Sequence, residues 1–338
     1  MRLADLGWND ALETAYAPGR GTHDTQPGRV AIEFNQIFRI YVAGGELDAV
    51  TAGRLKHRAR NRAELPAVGD WVVLRKRAHE DRGVIVDVLP RRSAFTRRAA
   101  GDVTGEQVVA ANVDVVFVVM GLDADFNVRR LERYLLMARE SGAAPVILLT
   151  KPDLADDVPA RVLEVVALAG NLPVHVLQPR SGEGVDLVRA HLAPGRTAAL
   201  LGSSGVGKST IINRLLGADV RRTREVRPSD SRGRHTTMHR ELVVLPDGGL
   251  IIDTPGMREL QLWDVTDSVR ETFDDIEALA AHCHFTDCRH RDEPRCAVKA
   301  AVADGTVAPE RLDSYLKLQD ELTELAKQQE ERARKMRR

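Results

Sequence analysis

Between residues 29 and 99 the apolar positions come in short runs that alternate with polar ones and break at glycine-containing turns. Val30 to Phe34, Phe38 to Val42, Trp71 to Leu74 and Gly83 to Val88 read as strands, with turns at Gly44-Gly45 and Gly69-Asp70. Five or so short strands over about seventy residues predict a small barrel. From Val113 to Trp263 the pattern changes to strands alternating with helical stretches, which predicts a mostly parallel sheet with helices on both faces. Val113 to Met120, Pro145 to Leu149, Val174 to Leu177 and Ala198 to Leu201 are its strands, and Val128, Leu131, Leu135 and Ala138 mark one helix face. Glu241 to Leu245 and Leu250 to Ile252, joined by Pro246-Asp247-Gly248-Gly249, read as a hairpin supplying an antiparallel edge. From Asp264 the spacing of Val269, Phe273, Ile276 and Leu279 is helical, and Tyr315, Leu318, Leu322 and Leu325 form the stripe of a long charged helix.

These changes of period divide the chain into an arm (1–27), a barrel domain (28–100), an α/β domain (108–263) and a helical domain (264–338). The arm is polar and broken by Pro18, Gly19, Gly21 and Pro27, so it is expected to be mobile, with one short helix at its start. Lys plus Arg equals Asp plus Glu, at 49 each, so a nucleic-acid partner would have to be met by local patches. Arg54, Lys56, Arg58, Arg60 and Arg62 come without an intervening acid, Arg91, Arg92, Arg97 and Arg98 follow, and the chain ends in Arg334, Lys335, Arg337 and Arg338. Runs of this kind are also what a solvated face looks like. With basic stretches bordering it, the barrel is expected to be an OB-fold, with an SH3-like barrel as the second choice. The N-terminus lacks the apolar core of a signal peptide, and the longest apolar run, Val115 to Met120, is far short of the roughly 20 residues of a membrane span. The expectation is a cytoplasmic protein without a membrane partner.

The chemistry begins at Gly202-Ser203-Ser204-Gly205-Val206-Gly207-Lys208-Ser209-Thr210, a phosphate-gripping P-loop between a strand and a helix. Its glycines let successive N–H groups turn toward one anion, and the helix that follows points its positive end there. Lys208 would reach the outer phosphates, and the Ser209 hydroxyl would coordinate Mg2+. Asp253-Thr254-Pro255-Gly256 follows an apolar strand: Asp253 would hold a magnesium-bound water, and the Gly256 N–H would sense the γ-phosphate. Between the two lies Gly233 to Arg240, where a threonine hydroxyl would close over magnesium; Thr237 is favoured and Thr236 is the alternative. Thr150-Lys151-Pro152-Asp153 resembles a guanine-reading motif, because the Asp153 carboxylate can accept from guanine N1–H and the exocyclic amine, donors that adenine lacks. Its usual first residue is Asn, so Thr150 keeps one hydroxyl in place of an amide. The second guanine loop falls at Gln178-Pro179-Arg180, where Pro179 has no N–H to offer; a neighbouring amide would have to substitute.

In an ordinary GTPase the guanine motif follows the P-loop, and here it precedes it. This rotated order resembles the RsgA family of circularly permuted, small-ribosomal-subunit-dependent GTPases. Leu65 to Val72 (LPAVGDWV), Leu89 to Phe95 (LPRRSAF), the GRHTT segment and the cysteine cluster extend the resemblance over roughly Arg29 to Arg311. It implies an OB-fold, a permuted P-loop GTPase domain and a helical zinc subdomain that dock as a monomer on the 30S subunit and its rRNA late in assembly. It further implies GTP hydrolysis to GDP stimulated by the subunit, with release of the factor.

After Gly256 a Ras-like enzyme places a water-orienting Gln, but this chain has Met257, so intrinsic hydrolysis is expected to be slow. His235, just before the switch threonines, is the candidate to position water on the ribosome; contact with phosphate, RNA or solvent is its bland alternative. The three cysteines, Cys283, Cys288 and Cys296, lie close together and suit a metal site better than a disulfide framework. Cys283, Cys288, His290 and Cys296 would make one closed, structural zinc site; His282 and His284 compete with His290 on spacing alone, and the resemblance selects His290. Two rival functions follow from the departures at Thr150, Pro179 and Met257 and from the shared P-loop: an RNA-binding module with a decayed nucleotide domain, and an ATPase or small-molecule kinase.

Overall fold

The computed structural model describes residues 1–17, 25–76, 82–98, 106–203, 205–217, 240–253, 273–309, 311–317, 319–320 and 323. The chain forms two units, Met1–Asn127 with Ser141–Leu260, and Val128–Glu140 with Gln261–Arg338.

The first unit begins with a short 3-10 turn at Ala4–Leu6 and helix α1 (Asp10–Tyr16), capped by Asn9, whose side chain accepts from the Leu12 N–H at 3.1 Å. Five strands follow: β1 (Thr25–Phe34), β2 (Ile37–Val42), β3 (Gly45–Thr51), β4 (Trp71–Lys76) and β5 (Arg82–Val88), with helix α2 (Gly53–Arg58) between β3 and β4. They pair in the order β1-β2-β3-β5-β4, and β4 closes back onto β1. All of these pairings are antiparallel except β3 with β5. This is a closed, OB-like barrel. In β2, Phe38, Ile40 and Val42 point inward and alternate with half-buried residues, as a one-sided strand requires. The third strand was absent from the sequence expectation, where Gly44-Gly45 read as a turn; its polar Glu46 and Asp48 hide the alternation that buries Ala49.

The N-terminal residues are not a mobile arm over their described length. Leu6 is fully buried, and Trp8 packs edge-on against Trp71 at 4.9 Å and against Tyr16 at 6.0 Å. Arg29 holds the segment in place. Its guanidinium, 1 % exposed, donates to the carbonyl oxygens of Leu6 (2.5 Å), Gly69 (3.2 Å) and Asn112 (3.1 Å) and sits over the Trp71 ring. Burial pushes the Arg29 guanidinium down to about 10, and the three carbonyls keep its donors satisfied.

A ribbon of β6 (Ala94–Arg98) and β7 (Glu106–Ala111), also unforeseen, leads from the barrel to the second sheet. That sheet consists of β8 (Val115–Gly121), β9 (Ala144–Thr150), β10 (Val174–Leu177), β11 (Thr197–Leu201), β12 (Glu241–Val244) and β13 (Leu250–Asp253), in the order β10-β9-β8-β11-β13-β12. It is parallel apart from β12. Every residue of β8 and β11 is buried, the mark of strands covered on both faces. The β12–β13 hairpin forms as expected, but β12 is not an edge: Ile32 of β1 pairs with Glu241, so barrel and sheet share one ladder. Of the helices in this half of the chain, α3 (Val128–Glu140) belongs to the second unit, contrary to its place within the expected α/β domain. Helices α4 (Val158–Ala169), α5 (Val185–Arg189) and α6 (Lys208–Leu216) stay with the sheet.

The second unit packs α3, α7 (Asp274–Ala280), α8 (Ala297–Ala303) and helical residues 311–317 around Leu136, Phe273, Ile276, Val298, Val307 and Tyr315. Arg311 donates to Glu132 (2.8 Å) and to both oxygens of Asp275 (2.6 Å each), with its guanidinium 4.9 Å from the Phe273 ring centre. Burial raises the Glu132 carboxyl; at Asp275 burial acts the same way, but the bonds from Arg311 outweigh it and hold that carboxyl below its ordinary range. Of the expected C-terminal stripe, Tyr315 is buried, and Leu318, Leu322 and Leu325 lie outside the described residues, as does Val269.

Candidate nucleotide site and metal centre

Strand β11 ends at Leu201, and the chain turns through the glycine-rich loop into α6, whose Ile211, Ile212, Leu215 and Leu216 are buried as their spacing requires. Gly202 has φ +154°, and a Cβ there would lie 2.3 Å from the Val119 carbonyl oxygen, so no other residue fits. Lys208, the first residue of α6, donates from Nζ to the carbonyl oxygens of Gly202 (2.6 Å) and Ser203 (2.5 Å), which holds its ammonium over the loop. Ser209 is exposed in the first turn of α6, with Thr210 beside it. Ser204 lies outside the described residues.

The candidate guanine motif, Thr150 to Asp153, sits at the end of β9. Thr150, fully buried, donates from its hydroxyl to the carbonyl oxygen of Val206 at 2.7 Å, so the residue that replaces the usual Asn ties the motif directly to the P-loop. Lys151 adopts the left-handed conformation (φ +58°) and places its ammonium 2.5 Å from Asp123, just after β8. The bond from Lys151 holds the Asp123 carboxyl below its usual range. Pro152 and Asp153 open a 3-10 turn, and the Gln178 side-chain amide donates to the Asp153 carboxylate. Gln178 begins the second guanine loop, whose Pro179 and Arg180 carbonyls accept from Arg214 of α6, the first at 2.9 Å. Sequence reasoning missed Asp123 and Arg214. Asp123 left a faint trace, an acid directly after a buried strand, but nothing in the helical pattern marks Arg214.

Asp253 is exposed at the end of β13, which runs parallel to β11 with Ala199 opposite Ile252, so Asp253 and the P-loop leave the same end of adjacent strands. Two hard oxygen donors, Ser209 and Asp253, thus belong to neighbouring strand ends, as a magnesium–nucleotide site requires. His235, Thr237 and Gly256, together with Thr236 and Met257, lie outside the described residues.

In the second unit the ligand atoms of Cys283, Cys288, His290 and Cys296 lie within 4.8 Å of one another. His290 is buried at φ +60°, with Nδ1 3.6 Å from the Cys283 sulfur and 3.3 Å from that of Cys296, and the two sulfurs are 3.8 Å apart. A tetrahedron with metal–sulfur distances of about 2.3 Å has edges of about 3.8 Å, so the donors fit one tetrahedral ion with three thiolates and an imidazole. His282 and His284 are exposed and outside the cluster. Cys296 also caps α8, its sulfur accepting from the Lys299 N–H at 3.4 Å.

The RsgA GTPase family profile matches residues 88–263, which spans the ribbon, the sheet and both candidate guanine loops. The chain belongs to the RsgA GTPase family. A second profile, described as a 50S ribosome-binding GTPase, matches residues 197–332. The family assignment extends to full-length relatives: the chain is 51% identical over 330 residues to the small ribosomal subunit biogenesis GTPase RsgA of Opitutus terrae, covering 95% of this chain and 90% of that one. The crystal structure of YjeQ from Thermotoga maritima superposes with a TM-score of 0.65 at 26% identity, covering 88% of this chain and 99% of that one. The fold is also that of YloQ, a circularly permuted GTPase, with a TM-score of 0.60 at 24% identity over 89% of this chain and 96% of that one. This RsgA-family chain is a GTPase, and its P-loop follows Thr150 to Asp153 in sequence. Among its described residues no helix is long and apolar enough to cross a membrane.

Proposed function

We propose that the protein is a cytoplasmic, monomeric GTP hydrolase acting late in maturation of the small (30S) ribosomal subunit. It binds the subunit's rRNA and hydrolyses GTP there, which promotes its own release. The observation that carries this reading is the Thr150 link to Val206, which joins a guanine motif to a P-loop placed after it in sequence. In this reading Thr150, Lys151, Pro152 and Asp153 take the base, with Asp153 reading its N1–H and exocyclic amine. Gly202 to Thr210 and Gly256 take the phosphates. Ser209, Thr237 and Asp253 hold Mg2+, which supplies charge neutralisation at the β- and γ-phosphates. His235 orients the attacking water on the subunit. Cys283, Cys288, His290 and Cys296 hold one structural Zn2+, the ion that three thiolates and an imidazole favour.

Phosphate release from GTP and ATP, with and without purified 30S subunits, tests this. Stimulation of GTP turnover alone is expected, and His235→Ala should abolish that stimulation. Binding to 30S with flat turnover would replace this reading with an RNA-binding module, which Pro179 and Met257 favour; equal turnover of ATP would replace it with an ATPase.

A further inference from the structure

We propose that Arg214 is the positioning residue for guanine recognition, restoring through the backbone of Arg180 and Ser181 the donor that Pro179 removes. The proposal rests on reading Thr150 to Asp153 as the guanine motif. It starts from the donors of the 178–184 turn. The Gln178 N–H goes to the Glu183 carbonyl (3.0 Å), the Gly182 N–H to the Gln178 carbonyl (3.0 Å), and the Glu183 N–H to the Ser181 hydroxyl (3.4 Å). Pro179 has none. Among the described residues, the N–H groups left in the turn without an intramolecular acceptor are those of Arg180, Ser181 and Gly184, and only the first two follow carbonyls that Arg214 holds.

Arg214 sets where those two groups point. Its Nε donates to the Pro179 carbonyl at 2.9 Å, and a terminal nitrogen of the same guanidinium donates to the Arg180 carbonyl. In a trans peptide the C=O and the following N–H point in opposite directions, and no described peptide bond is cis. Two consecutive carbonyls drawn onto α6 therefore turn the Arg180 and Ser181 N–H groups away from it. The planar fork of the guanidinium fixes both peptides at once, which a single ammonium cannot do. Gln178, the residue before this pair, contacts Asp153, so the turn and the base-reading carboxylate are already neighbours. An N–H pair aimed to that side would donate to the guanine O6.

The clamp has its own support. Arg189 of α5 donates to the carbonyls of Arg214 (3.1 Å) and Leu215 (3.4 Å) while pairing with Asp247, so the end of α6 that carries Arg214 is held. A cation in the last turn of a helix is also favoured by the helix dipole. Lys208 and Arg214 then occupy opposite ends of one short helix, and α6 serves phosphate and base together.

The test compares the affinity of the full chain for GDP, for ADP and for 2-aminopurine riboside diphosphate, which keeps the 2-amino group but lacks O6. Arg214→Ala should weaken GDP binding about five- to tenfold and leave the two nucleotides without O6 unchanged; Arg214→Lys should recover part of the loss. Arg189→Ala should show the same pattern at smaller size. A parallel loss for all three nucleotides would make Arg214 a helix-stabilising residue only, and unchanged GDP affinity would exclude the role. A wild-type chain that binds ADP as tightly as GDP would remove the guanine-site reading itself.

Discussion

The parallel sheet of the first unit and the cysteine-rich second unit are held together by different means. The sheet rests on apolar area: β8 and β11 are buried along their whole length, and Phe117, Leu148, Leu200, Ile211 and Ile251 belong to one continuous cluster. Its polar links, Thr150 to Val206, Gln178 to Asp153 and Arg214 to Pro179, join loops above a core that already stands. The second unit has no strand among its described residues and a small core in which Cys296 is at once a core residue, a helix cap and one of four clustered donors that could hold a metal. There the polar groups are part of the scaffold. Polar chemistry that tunes a site in one region holds up the fold in the other.

Removing the metal should have the largest effect. A structural zinc site contributes on the order of 10 kcal/mol to the folded state, so chelation or Cys296→Ser should unfold the second unit while GDP affinity stays within about twofold. Hydrogen exchange resolved along the chain, run beside a nucleotide titration, checks this; simultaneous loss of protection in β8 and β11 would erase the contrast. Next in size is Arg311→Met, which leaves the buried Glu132 unpaired and should destabilise the second unit by about 3 kcal/mol in a denaturant titration. Thr150→Val keeps the shape of the side chain but removes its bond to Val206, which should cost about 1 kcal/mol of stability and a comparable share of GDP affinity. An unchanged affinity would show that the loop link does not serve binding.

The smallest effect is a pH dependence at His191, whose Nε2 lies 3.0 Å from that of His175. Burial first, then His175 and Arg196, hold the His191 imidazole below its ordinary value. The unfolded chain therefore takes up a proton that the folded one resists, so stability should be complete above about pH 6.5 and decline as pH falls below it. His191→Gln should flatten that slope in thermal unfolding followed from pH 7.5 to 5.5.

Much of the architecture was legible because it is written in apolar periodicity. The strands of the parallel sheet were expected at nearly their observed positions, and the P-loop carries its own glycine spacing. What stayed hidden depends on pairings between distant residues. Strand β3 is polar at Glu46 and Asp48, and its identity comes from lying between β2 and β5. The packing of residues 1–17 depends on Arg29, a charged residue that no hydropathy pattern would place in a core. The membership of α3 in the second unit turns on Leu136 and Glu132, which read on sequence as one more helix between two strands. At the site, Thr150 looked like a loss relative to Asn and acts as a link, while Arg214 and Asp123 appear only once the loops meet.

The single pairing of Ile32 with Glu241 has a consequence for the order of events during synthesis. Strands β1 to β5 are close in sequence, so the barrel can close soon after β5 emerges from the ribosome. Its union with the nucleotide sheet must wait until the β12–β13 hairpin is made, after residues 89–240 have intervened. Until then the β1 edge that will receive Glu241 is open, and the nascent chain carries a finished barrel beside an unfinished sheet. Because β12 reaches the sheet through β13, completion of the β12–β13 hairpin both fills the sheet and fastens the barrel to it, so the two parts become one cooperative body only late in translation.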